Sequence, residues 1–329
     1  MPTLHEFVLH RPRSLGEATA LLAVPGGRVI AGGTDLVTNL RRGLERPETL
    51  VDLGGVPGLG DIALEGGTLT LGACVTLAQL ALEPRVQAQF PALCAAASAV
   101  AGPGHRSIAT VGGNLCLDTR CVFYNQSEWW RRANRYCLKR GGDICHVAPQ
   151  GDHCHAAFSG DLAPVLLVLG AELDIAGTAG VRRMPLAGLD REDGAAHLTL
   201  GRGEIVAAIR IPAPLPGLRC GYRKARARGA IDFPLAGVAA ALEPFGAHAR
   251  SLRVALTGTN SQPFLLAGTG AFDRQVIDES ALAQLGKLVQ KQVKPMRTTV
   301  TASNYRRQVA AVLAQRLVRD LMQAPAPAA

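Results

Sequence analysis

Near the N-terminus the apolar positions fall at helical spacing. Ala18, Leu21 and Leu22 follow Ser14 and Glu17, a Ser-x-x-Glu pattern that predicts a capped helix over residues 14–24. The apolar run Val29-Ile30-Ala31 reads as a strand that ends at Gly32-Gly33-Thr34-Asp35. A helix over Leu36–Arg42, closed by Gly43, and a strand over Thr49–Leu53 complete a small β-turn-α-β unit. From 60 to 118 a short strand, Leu69–Leu71, precedes apolar helices over Leu77–Leu82 and Val86–Val100. A second glycine turn, Thr110-Val111-Gly112-Gly113-Asn114, follows. Residues 121–154 show neither helical nor strand period. Ser159–Leu169 reads as a buried helix, and Glu172–Ile175 and Ile205–Ile211 as strands. The proline-rich step Ile211–Pro216 is the clearest linker. Beyond it come strands near 220–228, 235–242 and 252–257, then helices near 279–291 and 303–321. In the last helix Tyr305, Val309, Val312, Leu313, Leu317 and Leu321 share a face, and 324–329 reads as a frayed end. The pattern predicts an α+β chain of three parts: 1–55, 56–213 and 214–329.

Composition narrows the class. A chain of 329 residues with 48% hydrophobic and 19% charged residues can bury a large core, which excludes disorder. The longest apolar stretch, Leu162–Ala171, is ten residues and contains Pro164 and Gly170. A bilayer needs about 20, so no membrane span is expected. No signal-peptide pattern precedes residue 15, so the expected location is the cytoplasm, where disulfides are rare. The formal charge of +9 comes mostly from arginine, and no nucleic-acid motif accompanies it. A positive face for an acidic protein partner or an anionic cofactor is the reading that remains.

Strand, Gly-Gly-Thr-Asp, then helix is a physical recipe for holding an anion. The glycines let the backbone approach a diphosphate, free N–H groups at the helix start donate, and Thr34 is placed to cap the helix. Thr110–Asn114 offers a second surface of the same kind, and two such turns suit a dinucleotide. No Gly-x-Gly-x-x-Gly follows a strand. The nearest run, Gly102-Pro-Gly104-His-Arg-Ser107, breaks at its last position, which argues against a Rossmann NAD site.

Ile30-Ala-Gly-Gly-Thr-Asp-Leu36, Thr110-Val-Gly-Gly-Asn114, Gly160-Asp-Leu-Ala-Pro164, Tyr222-Arg-Lys224 and Asp232-Phe-Pro-Leu-Ala-Gly237 together resemble the FAD-binding medium subunits of the molybdenum hydroxylase family. The resemblance spans nearly the whole chain. It implies a PCMH-type FAD-binding fold of two α/β subdomains plus a C-terminal domain with an antiparallel sheet and helices. It also implies FAD contacts at Val29, Ile30, Ala31, Gly32, Gly33, Thr34, Asp35, Leu36, Thr110, Gly112, Gly113, Asn114, Asp161 and Lys224. On the residues alone, Asp161 also reads as a helix N-cap. Lys224 reads equally as a solvated strand residue, and Arg223 competes for its register.

Between Asn114 and Asp161 lie 46 residues, where most members of that family have a short connection. The window 121–158 holds six of the fourteen aromatic residues and four of the eight cysteines. Core thiols, disulfides, a zinc site completed by His146, His153 or His155, and an iron–sulfur cluster are the competing readings. The spacing C-x15-C-x7-C-x8-C lacks a zinc knuckle, and the segment shows little aliphatic periodicity. Arg120, Arg131, Arg132, Arg135, Lys139 and Arg140 would offset the charge of a cluster and its thiolates, and the aromatic residues would shield it from water. Cys121–Trp130, Tyr136–Lys139, Cys145-His146 and Cys154 further resemble the insertion in β subunits of the 4-hydroxybenzoyl-CoA reductase branch. That resemblance implies a [4Fe–4S] cluster on Cys121, Cys137, Cys145 and Cys154, with Cys116 as the rival ligand. Cys74, Cys94 and Cys220 read as core. It also implies electron transfer from reduced ferredoxin through cluster and FAD to a [2Fe–2S] small subunit and a molybdenum-binding large subunit. No catalytic residue is expected in this chain. The alternatives are an FAD subunit of an oxidative molybdenum hydroxylase and a zinc-stabilised interaction module.

Overall fold

The chain is described from a computed structural model, over residues 4–297 and 301–324. The proposed frayed end falls largely outside those residues. Within them, three sheets organise the fold. The first is parallel, in the order β1-β3-β2, with β1 at Val8–His10, β2 at Gly27–Ile30 and β3 at Thr49–Asp52. Its crossover helices are α1 (Leu15–Ala23) and α2 (Leu36–Arg41). Ser14 caps α1 through the Glu17 N–H, but Glu17 turns back to the N–H of Arg13, so the predicted reciprocal box is half made.

The second sheet is antiparallel, in the order β4-β5-β8-β6-β7. Its strands are Ile62–Glu65, Thr68–Gly72, Ile205–Ile211, Glu172–Gly177 and Gly180–Pro185 for β4, β5, β8, β6 and β7. Strands β4 and β7 escaped the hydrophobic pattern because they lie at the edges, where β7 is almost wholly exposed. Helices α3 (Leu77–Leu82), α4 (Pro84–Gln89), α5 (Pro91–Ala99), α6 (Pro103–Arg106), α7 (Val111–Leu115), α8 (Glu128–Ala133) and α9 (Leu162–Val168) fill the span between β5 and β6. The single helix expected over Val86–Val100 is two, because Pro91 cannot donate to the preceding turn. Every residue of α9 is buried, and it packs with α3 and α5 in the largest core.

The third sheet runs β12-β11-β10-β9, with β9 at Arg219–Ala225, β10 at Ala236–Phe245, β11 at His248–Thr257 and β12 at Phe264–Leu265. Helices α10 (Glu279–Gln292) and α11 (Ser303–Gln323) cover one face. Strand alternation sorts the rest: Val238, Ala240 and Leu242 join that helical core, while Ala239 and Ala241 join the core of the second sheet. The sheet is thereby buried on both sides, which is why β10 reads as one apolar run. The expected face of α11 needs correction. Tyr305 and Val312 are exposed, whereas Leu317 and Leu321 are buried and Val309 and Leu313 pack on the same core; Ala310, Ala311, Ala314 and Val318 complete the buried stripe, and its alanines let the helix sit close to the sheet. No described helix is long and apolar enough to cross a membrane.

Candidate functional site

The first glycine turn links β2 to α2. Gly33 sits at φ +68°, where a side chain is strained. Gly32 is glycine for a different reason: a Cβ there would lie 1.9 Å from the Ile108 carbonyl oxygen. The chain entering the second turn therefore presses directly on the first. The N-cap of α2 is Asp35, not Thr34 as the sequence suggested, and no side chain caps it. The Asp35 carboxylate is engaged elsewhere. Arg120 bonds both it and Asn39, and the Asp118 N–H donates to it at 3.3 Å. Asp35 thus ties the first turn to the cysteine-bearing segment.

The second turn opens α7. Thr110 caps it, accepting the Gly113 N–H at 3.1 Å, and Gly112 packs against Ala73, where a Cβ would meet the alanine Cβ at 2.8 Å. Asn114 accepts the Leu162 N–H at 3.1 Å, fixing the start of α9 against the turn. Asp161 occupies the N-cap position of α9 but does not cap it. Its two oxygens take the Tyr222 hydroxyl at 2.5 Å and Lys224 Nζ at 2.9 Å, and Lys224 also donates to the Ala99 carbonyl. Burial pushes the Asp161 carboxyl up, opposed by the Lys224 charge and the tyrosine bond. Tyr222 and Lys224 face the same side of β9, towards Asp161. Arg223, on the other side, reaches Asp320 of α11. The alternation puts Lys224 on the Asp161 side of β9 and Arg223 on the α11 side, and the burial of Lys224 overturns its reading as a solvated residue.

Between these parts runs a cleft of about 1290 Å³. Residues 29–36, Thr110, Gly112, Gly113, Asn114 and Asp161 line it. Lys224 stands behind Asp161 rather than in the wall. Two turns meeting at van der Waals contact, backbone exposed to a deep cleft and arginines such as Arg28, Arg42 and Arg228 along it fit an extended dianion such as the diphosphate of FAD. The sequence missed His197 and the 228–233 loop, which also line the cleft. His197 carries no motif, whereas Asp232 and Phe233 of the loop begin the Asp232–Gly237 run that resembles the family without marking a cleft residue. His197 is buried, and burial depresses its imidazole to about 4.

The cysteine segment is not structureless, because Ser127 caps the short helix α8 by accepting the Trp130 N–H. Cys121, Cys137, Cys145 and Cys154 are all free and buried. Cys145 and Cys154 share a hydrogen bond that holds the Cys145 thiol down and pushes the Cys154 thiol up, and Cys121 lies within electrostatic reach of Cys137 and Cys145. The sulfurs receive backbone N–H groups: Tyr124 to Cys121 at 3.3 Å and His155 to Cys145 at 3.5 Å. Two of the four buried thiols thus receive N–H groups of the kind that commonly bond cluster sulfurs. Among the described residues no three potential ligands converge on a single ion. His146 is taken by the Tyr136 carbonyl at 2.6 Å and His153 by Asp152, so two of the histidines of the zinc reading have other partners. Cys116 is half-buried beside Asp190; burial and that carboxylate push its thiol to about 12.

Not all the basic residues proposed to offset cluster charge can do so. Arg131 is buried, but its guanidinium is spent on Glu128 at 2.7 Å and on backbone carbonyls. Lys139, by contrast, keeps its ammonium inside the segment, held by Asp118, Thr119 and the Tyr124 ring.

Residues 5–214 match the family described as the FAD binding domain in molybdopterin dehydrogenase, and residues 221–321 match the CO dehydrogenase flavoprotein C-terminal domain. The chain is 32% identical over 235 residues to the putative xanthine dehydrogenase FAD-binding subunit XdhB of Escherichia coli (strain K12), 70% of this chain and 66% of that one. It is 30% identical over 270 residues to the carbon monoxide dehydrogenase medium chain of Hydrogenophaga pseudoflava, covering 82% and 79%. A solved CO dehydrogenase from Oligotropha carboxidovorans has the same fold, with a TM-score of 0.81, 24% identity and coverage of 98% and 99%.

Proposed function

The chain belongs to the FAD-binding subunits of the xanthine dehydrogenase and CO dehydrogenase family of molybdenum hydroxylases, and on that footing we propose that it is a flavin and iron–sulfur relay subunit of a reductase. FAD occupies the cleft, with its diphosphate on the turns at Gly32–Gly33 and Gly112–Gly113, and a [4Fe–4S] cluster sits on Cys121, Cys137, Cys145 and Cys154. The observation that carries this reading is the packing of four free, buried cysteines into one segment whose Tyr124 and Lys139 also line the cleft. When bound, the cluster supplies single-electron storage and the flavin couples one- to two-electron chemistry.

The chain's own residues do the positioning. Gly32 and Gly112 bring the two turns together, Asp161 and Lys224 lock the C-terminal sheet to the second turn's neighbour α9, and Arg120 pins the cysteine segment to Asp35. Nothing in these residues breaks substrate bonds. We assign that chemistry to a molybdenum-binding large subunit, served by a [2Fe–2S] small subunit, with reduced ferredoxin as donor and the cytoplasm as location. The resemblance of the cysteine segment points to 4-hydroxybenzoyl-CoA as substrate. Two electrons and two protons convert it to benzoyl-CoA and water. The same FAD cleft would equally serve an oxidative member of the family, and the cysteine segment is what favours the reductive reading.

The test is turnover by the complex co-purified with this chain under anaerobic conditions, supplied with a low-potential one-electron donor. Formation of benzoyl-CoA from 4-hydroxybenzoyl-CoA is the expected result. Oxidation of a hydroxylatable substrate, with no reductive turnover, would place the complex among the oxidative enzymes.

A further inference from the structure

Lys139 is anchored where the cysteine segment meets the cleft. Its side chain is 7% exposed, and Nζ donates to Asp118 Oδ1 at 2.6 Å, to the Thr119 carbonyl at 2.7 Å and to Thr119 Oγ1 at 2.6 Å. The ammonium also lies 4.6 Å from the centre of the Tyr124 ring. The Thr119 hydroxyl in turn donates a hydrogen bond to the Gly194 carbonyl, which fixes the cradle. This one charge neighbours two of the four proposed ligands: Cys137 is two residues away, and Tyr124, whose ring faces the ammonium, donates its N–H to the Cys121 sulfur. Lys139, Tyr124 and Asp118 are at the same time part of the cleft wall.

We propose that Lys139 is a potential-setting residue for the cluster, a buried positive charge held by Asp118 and Thr119 between the thiolates and the flavin cleft. The inference rests on the cluster assignment above. Reduction adds negative charge to an already anionic cluster, and a fixed ammonium in a poorly solvated site favours the more negative form. Arg131 differs in position: its guanidinium turns to Glu128 and to backbone carbonyls, and it does not line the cleft. Lys139 therefore acts through the field it sets, as a positioning charge.

The test is an EPR-monitored redox titration of the complete chain, isolated anaerobically with its partner subunits, as wild type, Lys139→Gln, Lys139→Arg and Asp118→Asn. Lys139→Gln is expected to lower the reduced-to-oxidised ratio at the wild-type midpoint at least tenfold, a shift of about 59 mV for one electron. Lys139→Arg should restore most of it, and Asp118→Asn should move the midpoint the opposite way. An iron-loaded Lys139→Gln protein with an unmoved midpoint overturns the proposal. If that variant fails to load iron, Asp118→Asn decides: an upward shift supports the proposal and no shift overturns it. A wild-type protein without iron would refute the cluster assignment itself, an outcome read before any variant is made.

Discussion

Lys224 Nζ lies 2.9 Å from Asp161 Oδ2 with both side chains at least 95% buried, and this pair joins the C-terminal sheet to α9 beside the cleft. An ion pair so deeply buried offsets its own desolvation only while both partners are present. Lys224→Met leaves the buried Asp161 carboxylate without its counter-charge, with the Tyr222 hydroxyl as its remaining donor, and should cost about 3–5 kcal/mol of unfolding free energy. The double variant Lys224→Met/Asp161→Asn should recover much of that loss. Arg223→Met removes the half-exposed bridge to Asp320 and should cost less than about 1 kcal/mol. Urea unfolding of the three variants checks the ranking.

Gly32→Ala should separate the two turns. Its Cβ would meet backbone at 1.9 Å, and backbone cannot step aside as a flexible side chain can. A loss of about 3 kcal/mol or more, with loss of bound flavin, is expected. Gly16→Ala, in α1 with nothing within 4 Å of the new Cβ, should instead be neutral or stabilising by up to about 1 kcal/mol. Thermal unfolding and flavin content distinguish the two.

The Arg120–Asp35 contact predicts measurable coupling between the cysteine segment and the first turn. The pair is mostly buried and Arg120 also bonds Asn39, so a double-mutant cycle with Asp35→Ala and Arg120→Met should give about 1–3 kcal/mol. Flavin affinity should fall in both single variants. A coupling near zero would mean that the segment is not braced through Asp35.

Much of this arrangement was legible in the sequence. Both glycine turns, α9 and the helices α10 and α11 followed from period, capping and glycine placement. The edge strands did not, because β7 is exposed and carries no alternation. Gly32 looked like a phosphate-approach glycine, but its tightest constraint is Ile108, a residue 76 positions away. The four cysteines stood out by counting. Lys139 was one of six basic residues in that segment, and only the fold shows that its ammonium turns inward. His197 left no local signal, since its ring is buried beside Phe158, 39 positions earlier in the chain.

His197 gives the pH prediction. Burial lowers its imidazole from 6.5 to about 4, so the unfolded chain binds a proton that the folded chain refuses. Stability should be intact above about pH 6.5 and fall as pH drops towards about 4, by roughly 3 kcal/mol in total for this group. His197→Gln should remove that part of the slope. Unfolding free energies of the two proteins across this range check it: parallel curves would contradict a neutral buried His197.

The central claim is the pairing of flavin and iron–sulfur cluster in one chain. Iron, acid-labile sulfide and flavin measured together on anaerobically purified wild type and Cys137→Ala test it most directly. The account predicts four irons, four sulfides and one FAD per wild-type chain, with iron and sulfide lost and FAD retained in Cys137→Ala. Zinc in place of iron, or iron unchanged in Cys137→Ala, would contradict it.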